Sequence, residues 1–362
     1  MISSLYIHIP FCDCICNYCD FAKVLKGTFS QDRYIDCLIN DIESLKIKDQ
    51  SLKTIYIGGG TPTCLSDSNL KRLLEYLNRH FYYPEEFTVE ANPESLTKRK
   101  VSLLSEYGVN RISLGVQSSN PKTLHYLGRN HTNGEVIKAV RLLNEAGLKN
   151  YNLDFIYGVP NTNLDDLKDD INFAFSLNPT HLSFYSLQIE DSTVFHNKNI
   201  QALDDETMAK MYSCINYLLP QEGYHRYEVS NFAQKGYESI HNLNYWHDGQ
   251  YYAAGLSSSG YINDTRYKNT LSLTDYLKGI NKRTFDKITE KDHEFEYLML
   301  NLRLVNGFNL DEFANLFKKD FLTDYSANLE NLKGDFSIKN QRFMIKKSKL
   351  FIMDSILLNL LK

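Results

Sequence analysis

Cysteine is scarce in this chain, no sign of charge is in excess, and no apolar run is long. The 40 lysines and arginines are balanced by 44 aspartates and glutamates, for a net charge of −4 and an isoelectric point near 6.2. That balance offers no general electrostatic reason to bind nucleic acid. No stretch approaches the roughly 18 uninterrupted apolar residues of a membrane-spanning helix. Met1-Ile2-Ser3-Ser4-Leu5 has neither a basic n-region nor an apolar h-region, so no secretory signal is expected and the expected location is the cytoplasm. An apolar fraction of 43% is that of a globular protein and excludes disordered and collagen-like classes. The 362 residues allow one large domain and a smaller one. There are only seven cysteines, an odd number, and Cys12, Cys14, Cys16 and Cys19 crowd into eight positions. In a reducing compartment such a cluster points to metal or redox chemistry before disulfides.

The first two-thirds of the chain alternates two periodicities. Short β-rich runs occur at 5–9, 54–57, 87–91, 111–116, 151–157 and 181–187. Between them, Leu70, Leu73, Leu74, Leu77 and Phe81 share one helical face, as do Val136, Val140 and Leu143, and then Leu164, Leu167, Ile171, Ala174 and Phe175. Residues 32–47, 97–107 and 205–219 also read as helices. Six strand-then-helix units predict a parallel sheet, because parallel neighbours need a crossover. An incomplete barrel and an open doubly wound sheet share this local pattern, and periodicity does not choose between them. From about residue 230 the pattern changes. Residues 236–270 are rich in Tyr, Asn, His, Ser and Gly without clear period, a helical pair follows near 289–305 and 309–318, and the chain ends in the apolar run Leu350–Leu361. At twelve residues that run is too short to span a bilayer and is expected in a core. The expected division is 1–232 and 233–362.

Cys12, Cys16 and Cys19 have the spacing C-x3-C-x2-C and follow the first predicted strand. Ligands of parallel α/β folds gather at that end of the sheet. Three thiolates on one loop can hold three corners of a cubane iron–sulfur cluster and leave the fourth iron open. Zinc is the alternative, with His8 or Asp20 as a fourth ligand, although zinc motifs favour paired C-x2–4-C units. Gly58-Gly59-Gly60-Thr61-Pro62 after the second strand lets the backbone approach a ligand and offers N–H groups to an anion.

The run Tyr6-Ile7-His8-Ile9-Pro10-Phe11-Cys12-x3-Cys16-x2-Cys19 resembles the start of a radical S-adenosylmethionine (SAM) enzyme of the coproporphyrinogen-oxidase-like branch. The resemblance implies a [4Fe-4S] cluster on Cys12, Cys16 and Cys19, with Cys14 a bystander, and an α/β fold comprising an incomplete (β/α)6 TIM-like barrel with a smaller C-terminal α/β accessory domain. It also implies that Tyr6, Gly59, Gly60, Thr61, Glu90, Gln117, Arg129 and Asp154 hold SAM. Cys37, Cys64 and Cys214 have no ligand spacing and are expected as small buried hydrophobes.

Within that branch, oxygen-independent coproporphyrinogen III oxidases carry a further cysteine two residues after the third, where this chain has Phe21. Downstream, His241-Asn242-x2-Tyr245-Trp246 resembles the H-N-x-x-Y-W signature of HemW-type haem chaperones. That resemblance implies haem as a ligand, with His241 as the candidate axial residue and His225 and His247 as competitors. It further implies transfer of haem to respiratory or other membrane proteins, with transient contact with the membrane surface, and no coproporphyrinogen oxidase activity. Whether SAM is cleaved, and whether the protein is a monomer or a dimer, stay open. The family's glycine-rich stretch after the signature is Ala253-Ala254-Gly255-Leu256-Ser257-Ser258-Ser259-Gly260 here, with one glycine kept in register. If that stretch shapes a pocket, its geometry here is expected to differ.

Overall fold

A computed structural model describes residues 2–47, 52–82 and 84–361. Its centre is a sheet whose strands are β1 (Ser4–Ile9), β2 (Thr54–Gly59), β3 (Glu86–Ala91), β4 (Arg111–Gln117), β5 (Tyr151–Tyr157), β6 (His181–Ser186), β7 (His225–Arg226), β8 (Asn231–Ala233) and β9 (Tyr252–Ala254). β1 to β6 are all parallel and lie side by side in chain order. A doubly wound sheet reverses its strand order at a switch point. No reversal occurs within β1–β6, so the winding is that of a barrel. β9 extends it in parallel beside β1, and β8 with β7 extends it in antiparallel beside β6. Among the described residues nothing pairs β9 with β7, so the barrel stays open.

The crossover helices lie where the apolar periodicity predicts them: α1 (Gln31–Ser44), α2 (Asp67–His80), α3 (Lys98–Glu106), α4 (Asn133–Glu145), α5 (Leu164–Ser176) and α6 (Asp205–Leu218). Each starts at a polar cap. Thr132 with Glu135 opens α4 and Asn163 with Asp166 opens α5, both as reciprocal capping boxes. Leu70, Leu73, Leu74 and Leu77 of α2 are buried against the sheet. At about 25 cal/mol per Å2 of apolar area, one such fully buried leucine contributes roughly 1.5–3 kcal/mol.

The aperiodic segment contains a short helix, α7 (Ile240–Trp246), then β9, then a three-stranded antiparallel sheet of β10 (Ser259–Ile262), β11 (Thr265–Lys268) and β12 (Thr284–Lys287). The helix Glu290–Asn301 and a small antiparallel sheet with short helices complete the chain. Met353, Ile356, Leu357 and Leu360 of the last helix are buried, and one continuous apolar cluster runs from Leu5 to Leu360 across the 232/233 division.

Candidate cofactor site

Side chains alternate across a strand, so every second residue of a barrel strand points inward. Register aligns these positions in layers: Tyr56 beside Thr88 and Thr88 beside Arg111, then Glu90, Ser113, Asn152 and His181, then Asp154 beside Ser183, and Ile156 beside Tyr185. All of these except Thr88 and His181 line a cavity of about 520 Å3 that opens at the carboxyl ends of the strands.

The loop after β1 delivers Cys12, Cys14, Cys16 and Cys19 to this cavity. His8 anchors the loop from behind, with Nε2 on the Ala22 carbonyl at 2.8 Å and Nδ1 on the Tyr6 hydroxyl at 3.1 Å. Both nitrogens are engaged, so His8 is not available as a fourth zinc ligand. Among the described residues no three His, Cys, Asp or Glu side chains converge on one metal ion. Three soft thiols at one cavity, with the Arg129 guanidinium beside Cys16, are a donor set that suits an iron–sulfur cluster. Burial pushes the Cys12 thiol up to about 11 and raises Cys19 as well. The hydrogen bond from Cys14, and then the charge of Arg129, draw Cys16 down.

The Gly-rich turn is shaped by this loop. Gly59 has φ +115°, and a Cβ there would lie 2.5 Å from the His8 ring; a Cβ on Gly60 would lie 2.9 Å from Cys12 Sγ. Only glycine lets the turn sit this close to the thiol. Thr61 Oγ1 donates to Cys12 Sγ at 3.9 Å and accepts from Asn92 Nδ2 at 3.1 Å.

Arg129 is buried. Its Nη2 donates to Asn92 Oδ1 at 2.7 Å and to the Gly115 carbonyl at 2.6 Å, and Nη1 reaches Cys16 Sγ at 3.6 Å; Nε has no partner among the described residues. Glu90 accepts from the Tyr56 hydroxyl at 2.8 Å and from the Gly59 N–H at 3.0 Å. Burial nevertheless pushes its carboxyl up to about 7. Asp154 accepts from Ser113 Oγ and Asn152 Nδ2, each at 2.8 Å, and burial raises it too. Gln117 ends β4 with φ +67°, at a register shift that turns its side chain toward Gly115. Gly59, Gly60, Thr61, Glu90, Gln117, Arg129 and Asp154 therefore meet at one cavity with the cysteines. Tyr6 does not line it; its hydroxyl is bound to His8.

The radical SAM superfamily model matches residues 6–174. A "Heme chaperone HemW" of Lactococcus lactis is 40% identical over 349 residues, covering 94% of this chain and 92% of that protein. The chain belongs to the HemW family. The corresponding Bacillus subtilis protein is 38% identical over 347 residues, covering 91% of this chain and 89% of its own length. Among solved structures, the coproporphyrinogen III oxidase HemN of Escherichia coli superposes with a TM-score of 0.86 at 20% identity, over 99% of this chain and 89% of that one. At that identity the likeness shows the fold alone.

In this HemW-family chain the H-N-x-x-Y-W helix, α7, packs across the amino ends of β2 and β3, opposite the cysteine loop. Glu86, the first residue of β3, accepts from Ile240 N–H at 2.8 Å, His241 N–H at 3.1 Å and Ser239 Oγ at 3.2 Å. A carboxylate suits the positive end of a helix. His241 is fully buried, with Nδ1 2.7 Å from Thr54 Oγ1 and Nε2 2.7 Å from the Tyr245 hydroxyl. Thr54 donates onward to Ser4 at 2.9 Å, which assigns the proton to Nδ1 and leaves the Nε2 lone pair taken by Tyr245. His241, the expected axial haem residue, thus has both ring nitrogens hydrogen-bonded and its ring does not line the cavity, whereas Asn242 does. Likewise, the diverged stretch 253–260 lies outside the cavity. It forms the β9 edge and is held by Asp41, which accepts from Gly255 N–H at 2.8 Å.

Asn92, Arg111, Ser113, Asn152 and Ser183 line the cavity and were not among the expected site residues. Their signal is present in the sequence. Arg111 and Ser113 in β4, Asn152 and Asp154 in β5, and His181 and Ser183 in β6 are polar at every second place of strands that are otherwise apolar.

Proposed function

We propose that this HemW-family protein is a haem chaperone built on a radical SAM barrel, which binds haem and passes it to haem-dependent respiratory or other membrane proteins. The observation that carries the reading is the near full-length likeness to proteins named "Heme chaperone HemW", together with the cysteines and the polar groups meeting at one cavity. Cys12, Cys16 and Cys19 would hold a [4Fe-4S] cluster, which supplies an electron to SAM when bound. The remaining residues position the ligand. Arg129, one face already pinned to Asn92 and Gly115, offers its guanidinium to a carboxylate. Glu90 and Asp154 offer acceptors to ammonium and hydroxyl groups. Gly59 and Gly60 leave room for close backbone approach, and the buried barrel wall excludes water from the reacting centre.

No helix among the described residues is long and apolar enough to cross a membrane, so delivery to a membrane protein would take place by surface contact. Phe21 stands where the oxidases of the branch have a cysteine, which supports a carrier and not an oxidase. The test is anaerobic reconstitution followed by haem titration and a coproporphyrinogen turnover assay. A stable haem complex without formation of protoporphyrinogen is the expected result. Protoporphyrinogen formation with SAM and a reductant would make the protein an oxidase.

A further inference from the structure

A second cavity, of about 460 Å3, lies away from the cysteines, between α1 and the segment that joins the helix Leu273–Leu277 to β12. Arg33, Asn40 and Ser44 of α1 line one side, and Asn281, Arg283 and Phe285 line the other. Asp41 at its base is engaged by Arg283 and four neutral donors. Arg33 uses only Nε, on the Leu277 carbonyl at 2.7 Å, so its terminal nitrogens carry no carboxylate among the described residues.

The rim of this cavity is apolar. Phe285 is 69% exposed, Leu271 68% and Ile280 42%. The three belong to one patch. Ile280 stands between Gly279 and Asn281, both lining residues, and Asn281 Oδ1 accepts from the Thr270 N–H at 3.1 Å, which brings the turn bearing Leu271 alongside. Single exposed apolar side chains are ordinary on a protein surface, whereas several gathered around one polar cavity mark a contact site.

The charge of the patch is positive. Lys278 and Lys282 flank Ile280, and Lys268 and Lys287 stand on β11 and β12; all four are exposed. The ion pairs of residues 264–287 are Arg266–Glu296 and Arg283–Asp41, so these lysines have none among the described residues. Three carboxylates share the segment. Asp286 pairs in register with Arg266, on the face of β12 opposite Phe285, and Asp264 lies at the far turn of the hairpin, near Lys287. Asp275 alone stays beside Lys278. The acids of α1 turn to α2 instead: Asp32 accepts from Asn69, Asp36 pairs with Arg72, and Glu43 acts on Tyr76.

We propose that this face docks on an anionic lipid bilayer: Leu271, Ile280 and Phe285 enter the interface, the lysines meet the headgroups, and the cavity at Arg33 takes a headgroup phosphate. This deepens the delivery reading above and rests on it for the choice of a membrane. Apolar insertion and the attraction of cations to anionic lipid add, so a small patch that combines them holds a protein at a surface reversibly. A second copy of the chain fits the face poorly, because two such faces would bring like charges together.

The test is cosedimentation of the full chain with vesicles of phosphatidylcholine alone and of phosphatidylcholine with an equal part of phosphatidylglycerol. Wild type is expected on the anionic vesicles and not on the neutral ones, with release by salt. Lys278→Gln with Lys282→Gln is expected to weaken binding at least about tenfold, at roughly fivefold per lysine. Leu271→Ala with Phe285→Ala is expected to weaken it about tenfold at unchanged Tm, since both side chains are exposed. Lys346→Gln with Lys347→Gln, exposed lysines outside the patch, is the charge control and is expected to bind as wild type.

Phe285→Trp should keep binding and report it directly, by a blue shift of emission on anionic vesicles once the signal of Trp246 in wild type is subtracted. Wild-type binding by the apolar double variant, or no shift in Phe285→Trp, would overturn the proposal. So would a chain that pairs in solution through this face, seen as a doubled mass that the apolar double variant halves. Haem titration of the same protein separates the two readings: haem binding without vesicle binding overturns only the docking surface, and vesicle binding without haem overturns only the haem reading.

Discussion

Tyr56 donates its hydroxyl to Glu90 Oε1 at 2.8 Å, and the pair lies across neighbouring strands at the heart of the cavity. Burial holds the Glu90 carboxyl near 7 against that bond and the one from Gly59. The neutral form is favoured on folding, so the stability linked to this group is full below about pH 4.5 and is lost as pH rises through about 7. A ligand ammonium favours the ionised form. SAM affinity measured by calorimetry should therefore strengthen from pH 6 to pH 8. In Glu90→Gln that pH dependence should flatten, and a slope equal to wild type would remove Glu90 from the SAM site.

Each of Cys12→Ala, Cys16→Ala and Cys19→Ala should abolish the cluster, seen as loss of iron from about four per chain and of the broad visible absorption. Cys14→Ser should retain the iron. Iron loss in Cys14→Ser alone would exchange the assignments of bystander and ligand.

A methyl group at position 60 has no free space, since its Cβ would sit 2.9 Å from Cys12 Sγ, the Phe11 carbonyl oxygen and the Pro10 carbonyl carbon. Gly60→Ala should fold, because the strand behind it is intact, but should bind SAM at least about tenfold more weakly through displacement of the turn. Unchanged SAM affinity would show that the turn is free to shift.

His241→Ala should act on stability and not on haem ligation. It leaves the buried Thr54 and Tyr245 hydroxyls without their partner, which costs about 2–4 kcal/mol and should appear as a lower Tm. Variant protein that is still folded should keep its Soret band. A full Tm with a lost Soret band would restore His241 as the ligand.

Asp41 ties α1 to the segment after β9. Its Oδ2 accepts from Gly255 N–H at 2.8 Å, Asn269 Nδ2 at 2.8 Å and Tyr276 Oη at 3.0 Å, and its Oδ1 accepts from Asn281 Nδ2 at 2.9 Å and pairs with Arg283 at 2.5 Å. Asp41→Ala strands these donors and the Arg283 charge, at a cost of about 3–5 kcal/mol in chemical denaturation. A loss below about 1 kcal/mol would mean that water replaces the carboxylate.

Much of the barrel was legible in the residues alone. The six strands and their crossover helices follow from periodicity and caps, since each such signal is local: apolar faces at 3.6-residue spacing, β-rich runs, Ser, Thr, Asn and Asp at helix starts. The cysteine spacing and the Gly-rich turn are also local, and the structure sets both on one cavity. The segment 236–270 was not legible, because α7 and the short strands β9 and β10 are too brief to establish a period and are held by distant partners: Glu86 for α7, β1 for β9 and Asp41 for the turn after it.

The sequence by itself thus determined the strand–helix alternation, the three-thiolate loop and the family. Tertiary structure decided what depends on contacts between residues far apart in the chain. Strand order chose a barrel winding over a doubly wound sheet, because order is a property of pairing and not of any one strand. Register gathered Glu90, Ser113, Asn152 and Asp154 into one polar chamber. Above all, folding decided the surroundings of His241 and Phe21, which lie far apart in the chain. Thr54 and Tyr245 consume both nitrogens of His241 in the interior, while the loop that carries the cysteines leaves the ring of Phe21 open at the cavity mouth.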